Sequence, residues 1–238
     1  MKVILMGLLA LMCIPVFATP SSTFWTPCTL DFQPANLTHI TYDNYARFGN
    51  PANDGVSQFP TDYGLTGGKT LGKLAIEYGV DYLAPSAYPL FFNAKIGYPE
   101  NSLSTSAPAM SLGIFNVGTK SGVTNQNIVY LVLGKSLPNN LGRLSGSYYT
   151  GNATALGGTD SNGFMIAYDN TLIKYKDDTP RVVFAADYAS GKNAFGGGGL
   201  GLYYYFNPKT SLLFGPTWFN DEAINGKMKY SMQLDINF

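Results

Sequence analysis

Residues 74–82 read LAIEYGVDY. Leu74, Ile76, Tyr78, Val80 and Tyr82 fall on one side of an extended chain, and Ala75, Glu77, Gly79 and Asp81 on the other, because successive side chains of a strand point to opposite faces. The period is two, so the stretch is a strand with two unlike faces. The next stretch repeats it, with Leu90, Phe92, Ala94, Ile96 and Tyr98 against Phe91, Asn93, Lys95 and Gly97. So do the last residues, with Met228, Tyr230, Met232, Leu234, Ile236 and Phe238 against Lys229, Ser231, Gln233, Asp235 and Asn237.

Extended along the chain, the pattern predicts about twelve strands, near 37–47, 60–68, 72–83, 88–98, 108–118, 125–134, 142–150, 160–169, 180–189, 199–206, 210–218 and 227–238. What sits on the second face separates a soluble sandwich from a membrane barrel. A sandwich presents a well-charged surface to water; here the second face is Gly, Ser, Thr and Asn with scattered charge, as a barrel interior tolerates. Charged residues make up 13% of the chain, about half the roughly 25% of ordinary domains, and aromatics reach 14%. The fold class expected is all-β: a single antiparallel transmembrane β-barrel. Short connections such as GGK and NPK fall on one end and longer ones on the other, the asymmetry of such barrels. Rings near strand ends, such as Tyr82, Trp218 and Phe238, suit two interfacial belts.

Ahead of the barrel, residues 1–18 read MKVILMGLLALMCIPVFA. A lysine, a short apolar run and small residues before a cleavage point form the secretory pattern, and the run is shorter than the roughly 20 residues of a spanning helix. The organisation expected is a signal peptide over 1–18, a periplasmic N-terminal segment over 19–36, and the barrel over 37–238. Export and a barrel together point to the bacterial outer membrane and its lipids. The net charge is zero, with no basic stripe for nucleic acid. The two cysteines are Cys13 and Cys28; the first is in the signal segment, so neither a disulfide nor a cysteine metal site is expected. No cofactor motif stands out.

The terminal strand KMKYSMQLDINF, closing on Phe238, resembles the last strand of Gram-negative outer-membrane proteins. The stretch DYGLTGGKTLGKLAIEYGVDY, residues 62–82, looks like porin-like barrels. The resemblance implies that the barrel-assembly machinery is a partner and that Phe238 is an assembly signal.

Six charged residues fall on predicted inward positions: Glu77, Asp81, Lys95, Arg143, Asp187 and Asp235. They either pair across strands or line a water-filled path. The single histidine, His39, shares a face with Asp43 but lies about 13 Å from it along a strand, and no serine adjoins it. A lipid hydrolase therefore has little support, and no enzyme is expected. The leading expectation is a porin-like channel for passive permeation of small solutes; the alternative is a closed structural or surface-interaction barrel.

Overall fold

The computed structural model describes residues 21–47 and 59–238. The expected signal peptide, residues 1–18, lies outside the described residues. The strands are β1 (Thr38–Ala46), β2 (Thr61–Leu71), β3 (Leu74–Ala84), β4 (Leu90–Tyr98), β5 (Ala109–Gly118), β6 (Asn125–Ser136), β7 (Arg143–Thr150), β8 (Asn162–Lys174), β9 (Pro180–Ala189), β10 (Gly197–Asn207), β11 (Thr210–Phe219) and β12 (Lys229–Asn237). Each pairs antiparallel with its neighbours in sequence, and β1 also pairs with β12, from His39 opposite Asn237 to Ala46 opposite Tyr230. The sheet is a closed barrel of twelve strands, the expected fold class. Closure leaves no open edge, and an even strand number lets the last strand pair antiparallel with the first.

Turn chemistry sets the strand ends. β2 and β3 meet at Gly72 and Lys73, with Gly72 at φ +62°, where a residue without Cβ is favoured. The expected GGK turn, residues 67–69, instead pairs within the β2–β3 ladder. β8 runs on through Lys174, past its expected end near residue 169. Both differences shorten the connections at the end carrying the termini. The opposite end bears longer loops with two single-turn helices, α1 (Ala153–Leu156) and α2 (Glu222–Asn225). Each is capped by a side-chain oxygen, from Asn152 and Asp221, which satisfies an otherwise orphaned N–H.

The barrel is inside-out relative to a soluble one. Leu131 and Leu133 on the outer wall are 52% and 50% exposed, whereas Glu77 and Lys95 on the inner wall are 0% and 1% exposed. Phe92, Leu112, Tyr148, Phe164 and Phe214 extend the outer apolar band. No helix among the described residues is long and apolar enough to cross a membrane; any crossing is by strands.

The interior departs from the expectation of a uniformly polar face. On the β6–β9 side, Ile128, Tyr130, Val132, Tyr149, Met165 and Ala167 point inward and form one apolar cluster with Cys28, Leu156 of α1 and Phe195 of the β9–β10 loop. The cause is the N-terminal segment. Residues 21–33, expected in the periplasm, run inside the ring of strands as a strap. Phe24, Thr26, Cys28 and Gln33 of this segment are buried.

The inner-face glycines make the space. A Cβ on Gly199 would lie 2.1 Å from the Phe24 ring, and one on Gly68 would lie 1.8 Å from the Gln33 carbonyl oxygen. Neither distance is sterically possible, so these two wall positions must lack a side chain if the strap is to lie against them.

Candidate functional site

The functional question centres on the lumen and the strap that crosses it. Asp187 on β9 is the principal anchor. Its carboxylate accepts the backbone N–H groups of Phe24 at 2.9 Å, Trp25 at 2.9 Å and Thr26 at 2.7 Å, and the Thr26 hydroxyl at 3.0 Å. A turn, in which the Thr23 N–H donates to the Thr26 carbonyl at 3.1 Å, aims these donors at one point. A carboxylate held by several N–H groups is among the stronger hydrogen-bonding arrangements.

Glu77 on β3 is the second anchor. It accepts the N–H and hydroxyl of Ser21, both at 2.7 Å, and the Gln33 N–H at 2.5 Å. Its charge is balanced by Lys95 at 3.1 Å. Glu77 and Lys95 are direct cross-strand partners, the position where opposite charges stabilise a sheet. Lys95 also donates to the Asp31 carbonyl at 2.8 Å and lies 5.0 Å from the centre of the Phe32 ring. Arg143 on β7 grips Asp31 with both terminal nitrogens at 2.6 Å, and its Nε donates to Asp169 at 2.8 Å. Burial disfavours the Asp31 charge, but the Arg143 guanidinium outweighs it and holds this carboxyl below its ordinary range. The Ser145 hydroxyl donates to the Cys28 carbonyl at 3.0 Å. Burial pushes the Cys28 thiol up to about 12.

Asp81 and Asp235 have wall partners of their own. Asp81 accepts from Asn93 at 2.7 Å. Asp235 is 3.1 Å from His39 Nε2 and accepts weakly from the Ser211 hydroxyl at 3.4 Å. The carboxylate thus stands between the imidazole and the hydroxyl. A hydrolytic relay needs the imidazole in the middle, so His39 is not arranged as a base toward Ser211.

Two cavities lie on either side of the strap. The larger, about 650 Å³, opens at the termini end, among Pro180, Pro208 and Lys209. The smaller, about 230 Å³, lies at the loop end, beside Phe59, Phe195 and Asn225. Ser22 of the strap and Asp43 of β1 line both. One wall residue and one strap residue therefore stand between the two spaces. Six aspartates line the pair of cavities (residues 31, 43, 62, 81, 169 and 235), against Arg143 and Lys209. Arg143 is occupied by Asp31 and Asp169, so among the other described lining residues carboxyl groups outnumber basic side chains.

No family model matches the chain, and no curated protein matches its sequence. Among solved structures, the chain is similar to the KdgM porin, with a TM-score of 0.53 and 11% identity over 85% of this chain and 99% of that one. This likeness is one of fold. The COG4313 outer membrane channel from Pseudomonas putida F1 aligns with a TM-score of 0.48 at 12% identity, over 90% of this chain and 99% of that one. The outer membrane channel DcaP of Acinetobacter baumannii aligns at 0.31 and 8%, over 84% and 72%.

Among the expected residues, the structure brings Glu77 and Lys95 together and sets Asp187 and Arg143 on strap residues; Asp81 meets Asn93, and Asp235 meets His39. Sequence reading missed Asp31, Asp62, Asp169 and the strap itself. One signal was available: FWTPC, residues 24–28, places two large rings in a segment without alternation, and such rings need a buried partner.

Proposed function

We propose that this protein is a bacterial outer-membrane channel that passes small solutes around its own N-terminal strap, with a preference for cations. The observation that carries the reading is the pair of cavities that both reach Ser22 and Asp43 inside a closed barrel. The apolar outer band suits lipid, and the excess of aspartate along the path favours cations, since wall charge biases permeation. In this reading Glu77, Lys95, Arg143 and Asp187 hold the strap, while Asp81 and Asp235 face the path. Residues 1–18 direct export, and Phe238 is read by the barrel-assembly machinery. The position of Asp235 between His39 and Ser211 supports transport without catalysis.

Planar-bilayer recording of the refolded protein under a potassium chloride gradient tests this. Discrete conductance steps with a cation-selective reversal potential are expected. A second reading, a closed structural barrel, draws support from the dense bonding of the strap at Asp187 and Glu77. Absence of steps from correctly folded protein would favour it. Steps with anion selectivity would remove the role given to the aspartates.

A further inference from the structure

The loop-end cavity has two kinds of wall. Trp25, Tyr45, Phe59, Phe115 and Phe195 present rings, and Asp43, Asp62 and Asp81 present carboxylates; no lysine or arginine is among its described lining residues. Asp43 and Asp62 are directly opposite each other on β1 and β2. Like charges at such positions repel, and a cation or a proton between or beside them relieves the repulsion. Asp43 accepts the Thr41 hydroxyl at 2.6 Å, and Asp81 has Asn93. One carboxylate oxygen of Asp62 is buried and has no hydrogen-bond partner among the described residues.

The rings form a continuous group. Trp25 packs edge-on against Tyr45 at 5.7 Å, Tyr45 against Phe59 at 5.6 Å, and Phe59 lies 5.1 Å from Phe219. This group already accepts one ammonium: Lys229 Nζ lies 4.6 Å from the centre of Phe59 and 5.0 Å from that of Phe219. Lys229 is fully buried and donates to the carbonyl of Asn225, itself a lining residue, at 2.6 Å. The aromatic surface is therefore electron-rich enough to hold a cation, as ring faces do through their quadrupole.

We propose that the loop-end cavity is a binding site for a compact organic ammonium ion, whose apolar body lies on Trp25, Tyr45 and Phe59 and whose charge faces Asp62 and Asp43. A bare metal ion would find the carboxylates but leave the rings unused; among the described residues no group of ligands is arranged to hold one. A neutral hydrocarbon would fill the rings but leave the carboxylates without a counter-charge. The volume, about 230 Å³, is below the roughly 300–1,000 Å³ of ligand pockets for drug-sized molecules, which selects a small ligand. The inference deepens the channel reading, by naming the solute class that the outer mouth would collect.

The test uses the mature protein refolded in detergent, with Trp218→Phe so that Trp25 is the sole tryptophan. Its fluorescence is titrated with benzyltrimethylammonium, with the neutral isostere neopentylbenzene and with benzenesulfonate. Saturable quenching by the ammonium is expected, about tenfold tighter than by the neutral isostere, with none by the anion. Asp62→Asn should weaken the ammonium about tenfold and leave the neutral compound unchanged. The half-buried position of Asp62 makes that variant compatible with folding, and heat-modifiable migration on gels checks it. Equal binding of ammonium and neutral isostere, insensitivity to Asp62→Asn, or no quenching at all would each overturn the proposal. Ammonium binding by a protein that shows no conductance would sink the channel reading and leave the site standing; conductance without binding would do the reverse.

Discussion

Replacing Asp187 by alanine should release the strap. The carboxylate is 5% exposed and accepts four hydrogen bonds from Phe24, Trp25 and Thr26. Alanine leaves three backbone N–H groups facing an apolar methyl. Each unsatisfied buried donor costs about 1–3 kcal/mol. Water from the larger cavity, which reaches as far as Thr23, replaces part of this. A net loss of about 2–4 kcal/mol in docking corresponds to a roughly 30- to 1,000-fold rise in the undocked fraction.

Cys28 is a built-in reporter of that fraction, because a chain prepared without residues 1–18 holds it as the single thiol. Docked, it is 0% exposed and its thiol is raised to about 12, so at pH 8 it holds almost no reactive thiolate. Maleimide labelling of Cys28 should accelerate by the same factor in Asp187→Ala, and single-channel conductance should rise. Gly199→Leu should do likewise by an independent route, since its side chain would occupy the space of the Phe24 ring. An Asp187→Ala barrel that migrates as folded, yet labels and conducts as wild type, would refute the anchoring role.

Four further outcomes are expected. Leu131→Arg, on the outer wall, should destabilise the barrel in lipid by about 2–4 kcal/mol in urea titrations; an unchanged midpoint would argue against lipid contact. Lys192→Cys should react with an impermeant thiol reagent on intact cells and Pro208→Cys should not; Lys192 is chosen because its neighbour Asn193 is fully buried, and the opposite labelling would invert the topology. The Asp31–Arg143 contact lowers the Asp31 carboxyl below its ordinary value of 3.8, so its support of the docked strap is complete above that value and lost as pH falls through the lowered one. Wild-type conductance should therefore show a rise below about pH 4 that Asp31→Asn lacks; an identical acid step in the variant would assign it elsewhere. Deleting Phe238, which is 58% exposed and bonds the Thr38 carbonyl only through its N–H, should lower the amount reaching the outer membrane more than it affects stability in detergent; normal membrane levels would remove its role as an assembly signal.

The strands and their two faces were legible in the sequence because a period of two is local: Leu74 to Tyr82 declares its faces without reference to any other segment. The cross-strand pair Glu77–Lys95 follows almost as directly, since a short turn between neighbouring strands fixes the register. Strand ends were less legible. Gly67 and Gly68 read as a turn, yet they lie in β2, because the glycine there answers to the Gln33 backbone pressed against the wall. Gly199, which read as the first residue of a strand, is likewise the floor beneath Phe24.

The strap could be assigned only by tertiary structure. Its bonds join residues far apart in the chain, 56 positions for Ser21 with Glu77 and 209 for Phe24 with Gln233, and no periodicity encodes such pairings. An aspartate on an inward strand position, such as Asp187, has the same sequence signature whether it faces water or accepts three backbone N–H groups. Which of these it does depends on whether another segment fills the lumen opposite it. Sequence alternation determined the barrel, because side-chain direction is a local property of extended backbone. The closed ring and the segment folded into it determined the shape of the path, because packing inside a lumen depends on volume and donors brought together from the whole chain.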